Sequence, residues 1–128
     1  MPKVYIDNLN LVVIISLVRL PDGSSARRVM SINEILGYDV ESGSFNYIEV
    51  FRWKSSDDTF EFPGYMNSTL LEHVVAPKRG MTNREARRIY DHLQDRAEAF
   101  KKIHERGVTN FYELHNLLSQ AFRQGLIR

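Results

Sequence analysis

Polar and apolar positions along this chain fall into two regimes. Between residues 9 and 62 the apolar residues come in short runs or alternate with polar ones, and turn-forming clusters separate the runs. From residue 64 onward they recur every three or four positions, the spacing of one helix face. Residues 9–20, LNLVVIISLVRL, form the first run. Its Val12, Val13, Ile14, Ile15 and Val18 carry stiff χ1 angles that suit a strand. Apolar residues on both faces read as a central strand covered on both sides, with a buried helix as the alternative that periodicity alone leaves open. Pro21-Asp22-Gly23-Ser24-Ser25 then supplies turn chemistry. A second strand is expected over residues 26–36, antiparallel to the first. After a turn at 39–43 a third is expected over 45–53, and strict alternation there puts Phe45, Tyr47, Phe51 and Trp53 on one face, interrupted by Glu49. A polar loop at 54–58 leads to a short fourth strand at 59–62, with Phe60 and Phe62 on one side. These aromatics read as the inner face of a hairpin that needs a cover.

The second half is expected to supply it. Pro63-Gly64 ends the sheet, and a short helix over about 68–75 is closed by Pro77 and Gly80. Thr82 and Glu85 have the spacing of a capping box, which predicts a long helix from there to Arg106 with Gly107 just past its end. Its stripe is Ala86, Ile89, Tyr90, Leu93, Ala97, Phe100 and Ile103, with Phe100 expected at the contact between helix and sheet. A third helix beginning near Thr109 or Asn110 is expected to bury Leu114, Leu117, Leu118, Ala121 and Phe122 and to stop near Gly125. The fold class that follows is α+β: a mostly antiparallel sheet of about four strands in residues 1–63, then a three-helix C-terminal subdomain in residues 64–128.

Composition changes this picture little. The 128 residues fit one domain or two small subdomains, and 43% apolar with 26% charged content is ordinary for a globular chain. A net charge of +1 argues against a strongly basic nucleic-acid binder, so no nucleic-acid partner is expected. With no cysteine, neither a disulfide nor a thiolate metal site can form. The run at 9–20 is too short to span a bilayer, which takes about 20 apolar residues, and it lacks the basic segment and cleavage site of a signal peptide.

Candidate chemistry is sparse. His73, His92, His104 and His115 are scattered over three predicted helices without metal-ligand spacing, and no metal site is expected. Ser24, Ser25, Ser31 and Ser119 lack the glycine-flanked elbow of a hydrolase nucleophile. Asp57-Asp58 reads as a solvated turn pair, because nothing apolar beside it would raise a carboxylate pKa. None of the seven glycines precedes Lys-Ser or Lys-Thr, so no phosphate-cradling loop is present, and no catalytic or cofactor-binding residue is assigned. The basic residues of the long helix alternate with acids, as on a solvated face. Arg27 and Arg28 stand apart as a pair, and strand alternation sends their side chains to opposite faces.

The wording of four segments is more specific than their pattern. YIDNLNLVVIISLVRL (5–20), RRVMSINEILGYDVESGSFNYIEVFRWKSSDDTFEF (27–62), LLEHVVAPKRG (70–80) and ERGVTNFYEL (105–114) cover nearly the whole chain. Together they resemble the segment that follows the nucleotide-binding core in archaeal ATPases of the type II/IV secretion superfamily, the motors of pili, archaella and protein export. The resemblance implies the tail end of a RecA-like motor domain. It implies a cytoplasmic location, peripheral to the membrane through partners, and a motor that is hexameric and works against a membrane platform protein. ATP and Mg²⁺ belong to the parent motor. This chain, without the phosphate loop, is expected to bind neither and to serve in sheet completion and in subunit or partner contacts. Ring-forming motors place arginines at subunit boundaries, which makes Arg27 or Arg28 a candidate interface residue, at most one of the two. The flanking strands of an intact core would precede Met1, so the run at 9–20 is expected to be uncovered and to drive self-association. The alternative reading is a free-standing small module that binds protein or nucleic acid.

Overall fold

The computed structural model describes residues 9–125; Tyr5 to Asn8, which open the first family-like segment, lie outside the described residues. Strands β1 (Leu11–Arg19), β2 (Ser25–Asp39), β3 (Ser44–Lys54) and β4 (Thr59–Glu61) form one antiparallel sheet in the order β1-β2-β3-β4. A π-helical stretch, Leu70–Val75, runs into the short helix α1 (Ala76–Lys78). A 3₁₀ turn, Ala86–Arg88, leads into α2 (Ile89–Glu105), and α3 (Phe111–Arg123) follows. The fold is α+β, with a four-stranded antiparallel sheet ahead of three helices.

The turns form where the sequence places them. Asp22 accepts from the Ser24 amide and hydroxyl at 2.9 and 2.6 Å, while Gly23 takes φ +84°. Asp39 does the same for Glu41 and Ser42, beside Gly43 at φ +67°. Asn110 caps α3, its side-chain oxygen accepting from the Tyr112 and Glu113 amides at 2.9 and 3.2 Å. The α2 helix ends at Glu105, followed by Gly107 at φ +70°.

Strict alternation fails in the middle of the sheet. Ile32 pairs with Phe51 but Asn33 pairs with Glu49, so β3 carries an extra residue, Val50. Two further bulges lie in β2, at Leu36 opposite β3 and at Met30 opposite β1. The bulge at Val50 divides the expected aromatic stripe. Phe45 and Tyr47 share a face with Glu49, Ile35 and Asn33, whereas Phe51 and Trp53 lie on the other face, where Phe51 stacks on Phe60 at 5.2 Å. Val50, 5% exposed, packs so closely on Gly64 that a Cβ there would lie 2.6 Å from the valine Cβ.

The apolar core is small and sits in the helical half. Ala76, Ala86, Ile89 and Tyr90 are buried, with Leu71, Val75, Met81 and Leu93 packed around them. Only the N-terminal end of the long-helix stripe is therefore used as expected. Phe100 does not reach the sheet: it is half exposed and lines a groove with Leu118 and Phe122 of α3. Phe122, expected to be buried, is exposed as well. The capping box forms by half. The Glu85 carboxylate reaches back to the Thr82 amide and hydroxyl at 3.1 and 2.8 Å, but these residues make a turn, and the α-helix proper starts at Ile89.

A buried polar network, rather than an aromatic cover, ties the sheet to the helices. Glu34 of β2 is 3% exposed. Its carboxylate accepts from the Ser68 hydroxyl and from the Leu70 amide, the latter at 3.1 Å, so it caps the start of the first helix from 36 residues away in sequence. The Ser68 hydroxyl accepts from the Leu71 amide at 3.0 Å. The Tyr90 hydroxyl accepts from the Ser68 amide and donates to Glu72, both at 2.8 Å. Burial first of all, and the neighbouring Glu72 and Glu34 charges after it, push the Tyr90 hydroxyl up to about 12 despite the opposing Ser68 amide.

Candidate partner interface

The run at 9–20, expected in the centre of a sheet, is at its edge. β1 pairs with β2 on one side, and among the described residues no strand pairs with the other. Its odd-numbered side chains form an apolar ridge: Leu11, Val13, Ile15 and Leu17 are 40, 47, 62 and 67% exposed. The even-numbered Val12 and Ile14 line an open groove of about 600 Å³ on the opposite face with Ile35, Phe45, Tyr47 and the Ser31–Asn33 pair. In its floor Asn33 Nδ2 donates to Ser31 Oγ at 3.0 Å, and Ser44 and Glu49 line it as well. Natural edge strands are normally blunted by Lys, Pro or an inward charge. Within β1 the one charge is Arg19, at its end. Among the described residues its apolar ridge and outer edge are therefore open.

The two arginines are separated as the alternation requires. Arg28 makes a two-pronged ion pair with Asp58, Nε to Oδ1 at 2.8 Å and Nη2 to Oδ2 at 2.7 Å, across 30 residues of sequence. Trp53 Nε1 donates to the same Asp58 Oδ1 at 2.8 Å. These bonds, Arg28 first and Trp53 second, hold the Asp58 carboxyl down at about 2, and Asp58 raises the Arg28 guanidinium in return. Asp58 is thus not a freely solvated turn residue; it sits at φ +54° and locks the β3–β4 turn to β2. Asp57 is bound by Thr59 Oγ1 at 2.7 Å and Lys54 at 3.4 Å. Arg28 is committed to the fold. Arg27 is exposed, with no ion pair among the described residues.

The helices contribute a second open surface. A groove of about 650 Å³ runs between α2 and α3, lined by Ala99, Ile103, Leu117 and Ala121 with charged residues at its rim. Phe111 and Tyr112 at the start of α3 are 72 and 75% exposed. Among the described residues no three His, Cys, Asp or Glu side chains converge as a metal-ligand set. No helix among them is long and apolar enough to cross a membrane.

No family model matches the chain. Two proteins of Methanocaldococcus jannaschii are similar to it. The one named Uncharacterized protein MJ0900 is 32% identical over 125 residues, which is 98% of this chain and 22% of that protein. The one named Uncharacterized protein MJ1287 is 37% identical over 103 residues, 80% of this chain and 35% of that protein. The chain therefore spans about a fifth and about a third of the lengths of these two relatives.

Proposed function

We propose that this chain is the sheet-completing and partner-contacting part of a type II/IV secretion- or pilus-type motor, acting in the cytoplasm and reaching the membrane through partners. The observation that carries the reading is the open, apolar edge of β1 in a chain whose own core is small. Such an edge extends a neighbouring sheet by backbone pairing, and its side chains supply the apolar area. The segments that resemble the archaeal secretion ATPases support the same reading, and so does the alignment of nearly the whole chain with a fraction of much longer relatives. In this role the chain contributes no nucleotide site. It supplies a structural edge, a helical surface for neighbouring subunits or a platform protein, and Arg27 as the residue able to reach a neighbour's nucleotide.

The test is complementation. A secretion-type ATPase core that lacks the matching segment is mixed with the purified chain, and binding and ATP hydrolysis are followed. Stable association with raised hydrolysis is the expected result. Arg27→Ala should then lower hydrolysis by at least tenfold without weakening association, whereas Arg28→Ala should act through the stability of the sheet. The chain alone should give flat heats on titration with Mg-ATP. Saturable ATP binding by the chain alone, or failure to associate with the core at high micromolar concentration, overturns the proposal.

A further inference from the structure

The exposed edge of β1 has a geometry that names an occupant. Asn10 C=O accepts from the Ile35 amide at 3.0 Å, and the Leu20 amide donates to Ser24 C=O at 2.8 Å. Both even-numbered residues turn their backbone groups toward β2. All three bulges lie in β2 or β3, so β1 keeps its two-residue period from one end to the other. The amides and carbonyls of Leu11, Val13, Ile15, Leu17 and Arg19 therefore point outward, and the first four of these residues also form the apolar ridge.

Ile15 is the middle residue of the nine in β1. A two-fold axis beside it pairs Ile15 with Ile15 of a second copy, Val13 with Leu17, and Leu11 with Arg19. Every outward amide then meets an outward carbonyl, giving about ten backbone hydrogen bonds. The ridge continues across the axis on a single face, so each apolar side chain lies opposite another apolar one except at the two Arg19 ends. Pairing across the axis covers the flanks of four exposed apolar side chains in each copy, Leu11, Val13, Ile15 and Leu17. No like charges meet: Arg19 of one strand lies opposite Leu11 of the other.

We propose that two copies of this chain join β1 to β1 about a two-fold axis at Ile15, making one continuous eight-stranded antiparallel sheet. The proposal rests on the reading that the β1 edge is a docking surface and assigns that edge to a second copy when no motor core is present. It is self-complementary in the manner of a closed dimer and leaves no β1 edge for a third copy.

Because the native chain has no cysteine, single thiols report the register directly. In the proposed dimer the two Ile15 Cα atoms lie about 5.5 Å apart, inside the roughly 4.4–6.8 Å that a disulfide needs. The two Leu17 positions, though more exposed, are offset by four residues, about 13 Å along the strand. Under mild oxidation Ile15→Cys should form a disulfide-linked dimer at least ten times faster than Leu17→Cys. Light scattering should give twice the chain mass for the parent at about 50 μM and the monomer mass for Ile15→Lys, with unchanged circular dichroism. Val13→Pro, which removes one outward amide without touching the β2 ladder, serves if the lysine variant fails to fold; it should weaken association at least tenfold. A monomeric parent at that concentration, or Leu17→Cys linking as fast as Ile15→Cys, overturns the proposal. Neither result bears on whether the chain associates with a motor core, which complementation decides separately.

Discussion

Replacing Glu34 with alanine removes the acceptor on which the junction of sheet and helices converges. The carboxylate is 3% exposed and holds two donors, the hydroxyl of Ser68, itself 1% exposed, and the Leu70 amide. A buried donor left without a partner costs about 1–3 kcal/mol. Leu70 and Leu71 are less enclosed, so water recovers part of the amide's loss. The cost expected for Glu34→Ala is about 3 kcal/mol, a large fraction of the roughly 5–15 kcal/mol that a domain has in total. Glu34→Gln keeps the shape and one acceptor, and the Ser68 hydroxyl can rotate to accept from the new amide, so about 1–2 kcal/mol is expected. Urea unfolding at one fixed protein concentration reads both, because association through β1 would otherwise enter the midpoint. With an m-value of about 2 kcal/mol/M, Glu34→Ala should lower the midpoint by about 1.5 M. The decisive measurement is the double variant with Ser68→Ala. Removing both partners leaves fewer unpaired groups than removing one, so the pair should cost less than the sum of the singles by about 1 kcal/mol. Strict additivity, or a Glu34→Ala protein within about 0.5 kcal/mol of the parent, would refute the claim that this network joins the two halves.

Other expectations follow from single contacts. Asp58 has its carboxyl pKa held at about 2 in the folded chain against an ordinary 3.8, so its contribution is complete above about pH 4 and is lost as pH falls from there through 2. Trp53 is the one tryptophan and bonds Asp58 directly, so its fluorescence should titrate over that window and Asp58→Asn should abolish the titration. Gly64→Ala drives a methyl into Val50 and should cost about 1–3 kcal/mol by thermal unfolding, with Val50→Ala in the same chain restoring part of the loss. Phe100→Ala, at a half-exposed position, should cost no more than about 1.5 kcal/mol, whereas a loss of 3 kcal/mol or more would mean that the ring is buried after all.

Element types were legible in the sequence because they depend on local chemistry. The Asp-Gly and Ser-Gly turns, the Asn110 cap and the Gly107 stop each use side chains within a few residues of the backbone they control. What stayed hidden was long-range or a matter of phase. One extra residue at Val50 flips everything beyond it to the opposite face, and nothing in SFNYIEVFRWK announces it. Arg28 and Asp58 are 30 residues apart, and Glu34 and Ser68 are 34 apart; each looked like an ordinary strand or turn residue until the fold brought it to its partner. The apolar content of β1 reads as a central strand covered on both faces, whereas the structure places it at the sheet edge with most of its side chains exposed, because composition alone does not tell a central strand from an open one. The same pattern fits an edge strand whose cover is another molecule. Of the candidate interface residues, alternation alone separated Arg27 from Arg28, and only the position of Asp58 told which of them was already taken.

The small core and the open edge are two sides of one balance. Among the described residues the buried apolar side chains are Val50, Ala76, Ala86, Ile89 and Tyr90. Ordering each residue costs about 1–2 kcal/mol of backbone entropy whether or not its side chain is buried. The sheet must therefore be ordered largely by its own ladder, its Arg28–Asp58 lock and the Glu34 junction, with little apolar burial of its own to draw on. Covering the β1 ridge adds that burial at about 25 cal/mol per Å². Stability should then depend on protein concentration. For a folded dimer that dissociates as it unfolds, the melting temperature rises with the logarithm of chain concentration, and a variant blocked at Ile15 should lose that dependence and melt lower. A parent whose melting temperature is flat from about 1 to 100 μM, at a value the Ile15→Lys variant shares, would show that the ridge contributes nothing by being covered.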